Sequence, residues 1–269
     1  MGDILTNGQI EELKQFRVTT VKKASVLSVE IEQLLDEHSM SHYLSLLGKH
    51  LGAANDKVTA SIFIKRYAFL AASYLYIMTL KNAKLNISFG NVSLETNEQD
   101  ELWLPTFYFN DFHIETLVGN REKWRETCVN DLFNNHFYPL LSCLSRVTKV
   151  SKLILWENLA VYIFWLYETI FQKEYFTEEV KLRSKEDFQY ILHQASGSLF
   201  GSYDKNPLKR YYNEHIFLEE YGKEVRPRNT CCYSYLTRSK KRCTSCPQVC
   251  AACPLVSEMQ SMEVKSYQY

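Results

Sequence analysis

Residues 67–80 read YAFLAASYLYIMTL, the longest strongly apolar run in a chain of 269 residues. A helix that crosses a bilayer needs about 20 such residues, so a run of 14 has to be buried by protein. The chain supplies the partners for that burial. Apolar residues recur at helical spacing at Ile10, Leu13 and Phe16 and again at Val29, Leu34 and Leu35, and the pattern continues over 58–80. This predicts that the first 80 residues are all helical. Two long segments, NREKWRETCVNDLFNNHFYPLLSCLSRVT from 120 and SKLILWENLAVYIFWLYETIF from 151, read as amphipathic to fully buried helices. A further helix is expected to open at Ser184, an N-cap residue followed by acids in the first turn, and to run through Leu199 to Gly201. With 46% apolar and 14% aromatic residues, one large core is the expectation at this length.

The period changes between the helical stretches. In KLNISFGNVSLET, Leu85, Ile87 and Phe89 alternate, then Val92 and Leu94, with Gly90-Asn91 between them, the pattern of a hairpin. ELWLPTFYFND at 101–111 is β-prone, with Pro105 marking an edge or an interruption. The expected fold is α+β, mainly helical, with a small antiparallel sheet near 85–112 in a main domain over 1–225. A cysteine-rich segment over 226–256 and a tail over 257–269 follow. The N-terminus lacks a basic stretch followed by an apolar one, so the chain is expected in the cytoplasm and not spanning a membrane.

Six of the eight cysteines fall at 231, 232, 243, 246, 250 and 253. Two residues between cysteines reverse the chain and let two thiolates converge on one metal, and Cys243/Cys246 and Cys250/Cys253 both have that spacing. A reducing compartment disfavours disulfides, and vicinal cysteines close only a strained ring. A metal or a cluster is therefore expected. The spacing matches neither a zinc ribbon, whose knuckles stand a dozen or more residues apart, nor a ferredoxin run. Cys128 and Cys143 lie on an apolar helix and read as packing. His113, His136, His193 and His215 lack the i, i+4 pairing of a zinc helix. Trp156, Trp165, Tyr162 and Phe164 read as core, and Glu98, Asp100 and Glu101 as a solvated turn. No phosphate-cradling glycine loop occurs among nine glycines.

Cys231-Cys232, ten residues, Cys243, two residues and Cys246 resemble the cysteine signature of the FhuF-like ferric siderophore reductases. The preceding RPRNT and the following Pro247 extend the similarity, and Leu155-Trp156-Glu157-Asn158 resembles a helix of that family. The resemblance covers roughly residues 130–255 and is strong over 226–247. It implies a [2Fe–2S] cluster on Cys231, Cys232, Cys243 and Cys246, and one-electron reduction of a ferric siderophore to release iron inside the cell. An external protein would donate the electron. This chain departs from the pattern in carrying Cys250 and Cys253, which remain alternate ligands.

Formal net charge is zero, but Lys223 to Arg242 hold seven basic residues and one acid, a net of +6. Arg226, Arg228, Arg238, Lys240, Lys241 and Arg242 are candidates to attract an anionic siderophore of hydroxycarboxylate or hydroxamate type. Tyr233 and Tyr235 alternate on what reads as an extended segment and are candidates to face the centre or its substrate. Nucleic acid is not an expected partner in this reading. Two alternatives stand beside it: a zinc-stabilised module whose basic residues contact nucleic acid or an acidic partner, and a siderophore-binding relative without redox activity.

Overall fold

The computed structural model describes residues 3–100, 102–219 and 222–247. The apolar run lies in α3 (Asp56–Lys81), which is buried around nearly its whole circumference, as a helix apolar on all sides requires. Asn55 caps its start, its Oδ1 accepting the Val58 N–H at 3.2 Å, and Asn82 ends it in the left-handed conformation at φ +48°. Alongside it packs α6 (Lys152–Gln172). By length and composition α6 could cross a bilayer, yet 67% of its most apolar window is buried inside the fold. Around this pair stand α2 (Glu37–Leu51), α5 (Tyr138–Thr148) and α7 (Glu178–Gln189), with α1 (Asn7–Leu13) and α4 (Arg121–Asn130) outside them. Of the described residues 56% are helical, with small antiparallel and mixed sheets, an α+β fold.

Helix α4 runs without a break into α5 through a π-helical stretch, Asp131–Phe137. Pro139 accounts for the widening. It has no N–H to give and its ring would meet the carbonyl four residues back, so the turn before it is loosened, and the Tyr138 N–H reaches Phe133 O instead.

The first 80 residues are not all helical. Arg17 turns the chain at φ +67°, and the β-branched pair Val18–Thr19 (β2) leaves as a strand, as does Val29–Glu30 (β3). Both join one four-stranded mixed sheet in the order β2, β6 (Thr106–Phe109), β5 (Val92–Glu95), β3, with β2 parallel to β6 and the other pairs antiparallel. Helical spacing of Val29, Leu34 and Leu35 was a coincidence of burial: a strand followed by a 3₁₀ turn at Ile31–Leu35 hides Ile31 and Leu34 equally well. The expected Gly90-Asn91 hairpin is also corrected. These residues sit in a 3₁₀ turn, where the Asn91 amide donates to Asn86 O and Asp111 O. The hairpin is β5 with β6, and strand β4 (Ala83–Leu85) pairs instead with β7 (His113–Thr116), which also takes β1 (Asp3–Ile4). Pro105 lies just before β6.

Two further expectations change. Thr177, not Ser184, caps α7, accepting the Val180 N–H at 3.3 Å with Glu178 and Glu179 behind it. Ser184 is buried nearly two turns in and donates to Val180 O. Trp165 is 41% exposed, whereas Trp156 and Phe164 are core. Cys128 and Cys143 are buried as expected. A short hairpin, β8 (Ile216–Leu218) with β9 (Lys223–Val225), leads into the cysteine segment.

Candidate metal centre

In the contact between α3 and α6, polar side chains interrupt the apolar packing. Ser61 on α3 and Glu157 and Asn158 on α6 are all buried, and a buried polar group needs partners. Asn158 Nδ2 donates to Ser61 O and Ser61 Oγ, both at 2.9 Å. What remains unsatisfied is taken up by residues 228–232. Ser61 Oγ donates to Cys232 O at 2.9 Å, and Arg228 Nη2 donates to Asn158 Oδ1 at 2.7 Å. The Glu157 carboxylate accepts the Asn229 N–H at 2.5 Å, the Thr230 N–H at 2.7 Å and the Thr230 hydroxyl. Arg228 Nη2 also stands 3.6 Å from Glu157 Oε2, with both side chains buried. The vicinal cysteines are thus held against two rigid helices.

A second attachment fixes the other side of the loop. Gly52 closes α2 at φ +57°, and residues 51–54 exchange backbone bonds with the cysteine segment: Arg238 N–H to Leu51 O at 2.9 Å and Ala54 N–H to Leu236 O at 3.0 Å. A Cβ at Gly52 would be strained at that φ and would stand 3.2 Å from Arg238 Cβ.

Four cysteines gather between these attachments. Cys232 Sγ and Cys243 Sγ are 3.7 Å apart, and Cys246 is among the neighbours that act electrostatically on Cys231. The Cys246 N–H closes a turn on Cys243 O at 3.0 Å. Tyr233 takes the left-handed conformation at φ +60°, which aims its N–H at Cys231 Sγ, 3.4 Å away. Lys65 Nζ approaches Cys232 Sγ at 3.6 Å. The Cys243 hydrogen bond, then Lys65 and Arg228, push the Cys232 thiol down. The same hydrogen bond and burial push Cys243 up, so a thiolate is favoured on Cys232. Burial raises Cys231. Among the described residues no group of three His, Cys, Asp or Glu is placed to hold a metal ion; the close thiol pair is Cys232 with Cys243.

The remaining candidates fall into separate sets. Arg226 Nη2 is bonded to Glu168 at 2.5 Å and its guanidinium lies 3.9 Å over the Tyr212 ring, and Arg228 is committed to Glu157 and Asn158. Arg238, Lys240, Lys241 and Arg242 are exposed, with the Arg242 guanidinium 4.1 Å from the Tyr235 ring. Tyr233 and Tyr235 are not on an extended segment: Ser234–Leu236 is a 3₁₀ turn. Cys250 and Cys253 lie outside the described residues. His113 is exposed and bonded to Asp111, while His136 is buried. A cavity of about 210 Å³ opens beside the cysteine loop, lined in part by Glu157, Trp165, Glu168, Arg226 and Ser245. A cavity of about 430 Å³ lies elsewhere, on the later half of α3 and on β4.

Among known families, the model described as ferric iron reductase FhuF-like transporter matches residues 61–215. The chain belongs to the FhuF-like ferric iron reductase family. The match begins with Ser61, includes Lys65, Glu157 and Asn158, and ends ahead of the six clustered cysteines. It therefore covers the helices that carry the loop, whereas the resemblance read from sequence was strongest over 226–247. A solved structure of the aerobactin synthetase IucC from a hypervirulent pathotype of Klebsiella pneumoniae aligns with a TM-score of 0.47 and 11% identity, over 68% of this chain and 35% of that one. This FhuF-like chain thus spans about a third of the synthetase's length. No curated protein matches it.

Proposed function

We propose that this FhuF-like protein is an intracellular ferric siderophore reductase whose Cys231, Cys232, Cys243 and Cys246 hold a [2Fe–2S] cluster. The observation that carries this reading is the pairing of the thiols. Two sulfurs on one tetrahedral ion with bonds of about 2.3 Å lie about 3.8 Å apart, and the Cys232–Cys243 separation is 3.7 Å. A mononuclear site needs three or four donors on one ion, but a two-iron cluster asks for two thiolates at each iron. The donor set fits that demand. Bound there, the cluster supplies one electron at a time.

The protein's own residues do the rest. Glu157, Asn158 and Ser61 fix the loop backbone, and Lys65 and the Tyr233 N–H place positive charge at sulfur. Exposed Arg238, Lys240, Lys241 and Arg242 offer charge to an anionic ferric complex beside the thiols. The substrate iron passes from Fe³⁺ to Fe²⁺ by gaining one electron from an external donor protein. The lower charge weakens every oxygen contact of the siderophore, so the metal can be handed on. No proton acceptor or nucleophile is needed.

The deciding experiment is metal and acid-labile sulfide analysis of protein purified without oxygen. The expected sample is red-brown, with about two irons and two sulfides per chain. Serine at any one of the four cysteines lowers both, while serine at Cys250 or Cys253 leaves them. A colourless protein with one zinc, no sulfide and no cluster after reconstitution would overturn the proposal in favour of a zinc-stabilised module.

A further inference from the structure

We propose that Lys65 is a positioning residue that sets the reduction potential of the cysteine-bound centre by holding a cation against the Cys232 sulfur. The inference rests on the reading above, that a redox cluster occupies the quartet. Lys65 stands one helical turn after Ser61 on α3 and is half-buried. Among the described residues the hydrogen-bond partner of its ammonium is Cys232 Sγ, at 3.6 Å, and no carboxylate pairs with it. A half-buried cation without an acid is costly unless an anion meets it, and the anion that the fold supplies is sulfur.

Anchoring of the loop does not depend on this contact. The Cys232 carbonyl is already held by Ser61, the Arg228 side chain by Asn158, and the next backbone amides by Glu157. Arg228, the other cation near Cys232, is neutralised by Glu157 at 3.6 Å. Among the described residues Lys65 is therefore the charge near Cys232 that no carboxylate compensates. Taking up one electron from the external donor makes the thiolate-bound centre more negative by one unit. A fixed cation one contact away stabilises that reduced form more than the oxidised one, and an N–H···S bond acts in the same direction. Lys65 thereby raises the potential and eases acceptance of the electron.

The test is a potentiometric titration, followed by visible absorption, of wild type, Lys65→Arg, Lys65→Gln and Lys65→Met. At a fixed poise the Gln and Met proteins are expected to have about a tenfold lower ratio of reduced to oxidised centre, equivalent to about 59 mV for a one-electron couple. Arg, which restores the charge, recovers most of the shift. Equal potentials in all four proteins overturn the inference. So does loss of the cluster in both Gln and Met, which would make the role structural. If Met alone fails to load, the comparison of Gln with Arg decides. Failure of wild type to bind a cluster would instead sink the functional reading itself, so the two failures are distinguishable.

Discussion

His136 lies between two aromatic planes, stacked on Phe89 at 4.7 Å and on Tyr67 at 5.8 Å. Its Nε2 accepts from the Tyr67 hydroxyl at 2.7 Å, and burial keeps Tyr67 protonated. Burial also pushes the imidazole down to about 3, against a small opposing effect of its hydrogen bond with the Ile87 backbone. Between pH about 6.5 and about 3 the unfolded chain therefore binds a proton that the folded chain refuses, and stability must rise with pH across that window. Going from neutral pH down to about pH 5, this one group should remove about 2 kcal/mol. Urea unfolding at several pH values checks it: wild type should lose stability more steeply than His136→Gln, and parallel profiles would refute the assignment. From sequence His136 read only as a scattered histidine, because the two rings stacked on it come from positions 67 and 89, out of reach of any local pattern.

At the scale of elements, α6 does two jobs with adjacent residues. Leu155 and Trp156 pack the core, and Glu157 and Asn158 hold the cysteine loop. Removing the charge in Glu157→Gln leaves buried Arg228 without its counter-ion, a change that costs about 3–5 kcal/mol where no solvent reaches. The expected outcome is local: faster alkylation of Cys232, which is 1% exposed, with the helical circular dichroism preserved. Unchanged labelling would show that the loop is held by something else. Long helices were legible because α3 and α6 are apolar enough to override any other choice. Spacing singled out the cysteine cluster, and the choice of Cys231, Cys232, Cys243 and Cys246 within it came from the family resemblance. Of the platform beneath it, Glu157 and Asn158 stood in the stretch that resembles a helix of the family, whereas Ser61 and Lys65 on α3 were passed over, although a polar residue in a mostly buried helix is the informative one. The short strands β2 and β3 were missed because two residues carry too little pattern to stand against a helical reading; their pairing with β6 and β5 is what makes them strands.

Across the whole molecule the +6 segment is less positive than its composition implies. Arg226 and Arg228 are neutralised internally and exposed Lys223 is offset in charge by exposed Glu224, so the outward excess comes down to Arg238, Lys240, Lys241 and Arg242. If these draw an anionic ferric siderophore, KM should rise as salt goes from about 50 to about 300 mM, where screening acts over roughly 10 Å. Lys240→Gln with Lys241→Gln should reproduce much of that rise at low salt with the iron content unchanged. Salt-independent kinetics would remove these residues from substrate recognition. Residues 1–225 remain our proposal for the main domain, with 226–256 as the cysteine-rich segment and 257–269 as a tail.

The long reach of these contacts also imposes a schedule on biosynthesis. Asn158 precedes Arg228 by 70 residues and Lys65 precedes Cys232 by 167. At about 5–20 residues per second, the ribosome adds Arg228 roughly 4–14 s after Asn158. Small domains commonly fold in less time than that, so α3 and α6 can be paired before Cys231 is made. During that interval the seam shows water a serine, a lysine, an asparagine and a carboxylate instead of bare hydrocarbon, which keeps a waiting nascent chain from sticking to its neighbours. The cysteine loop is then the late arrival, docking on an already folded surface.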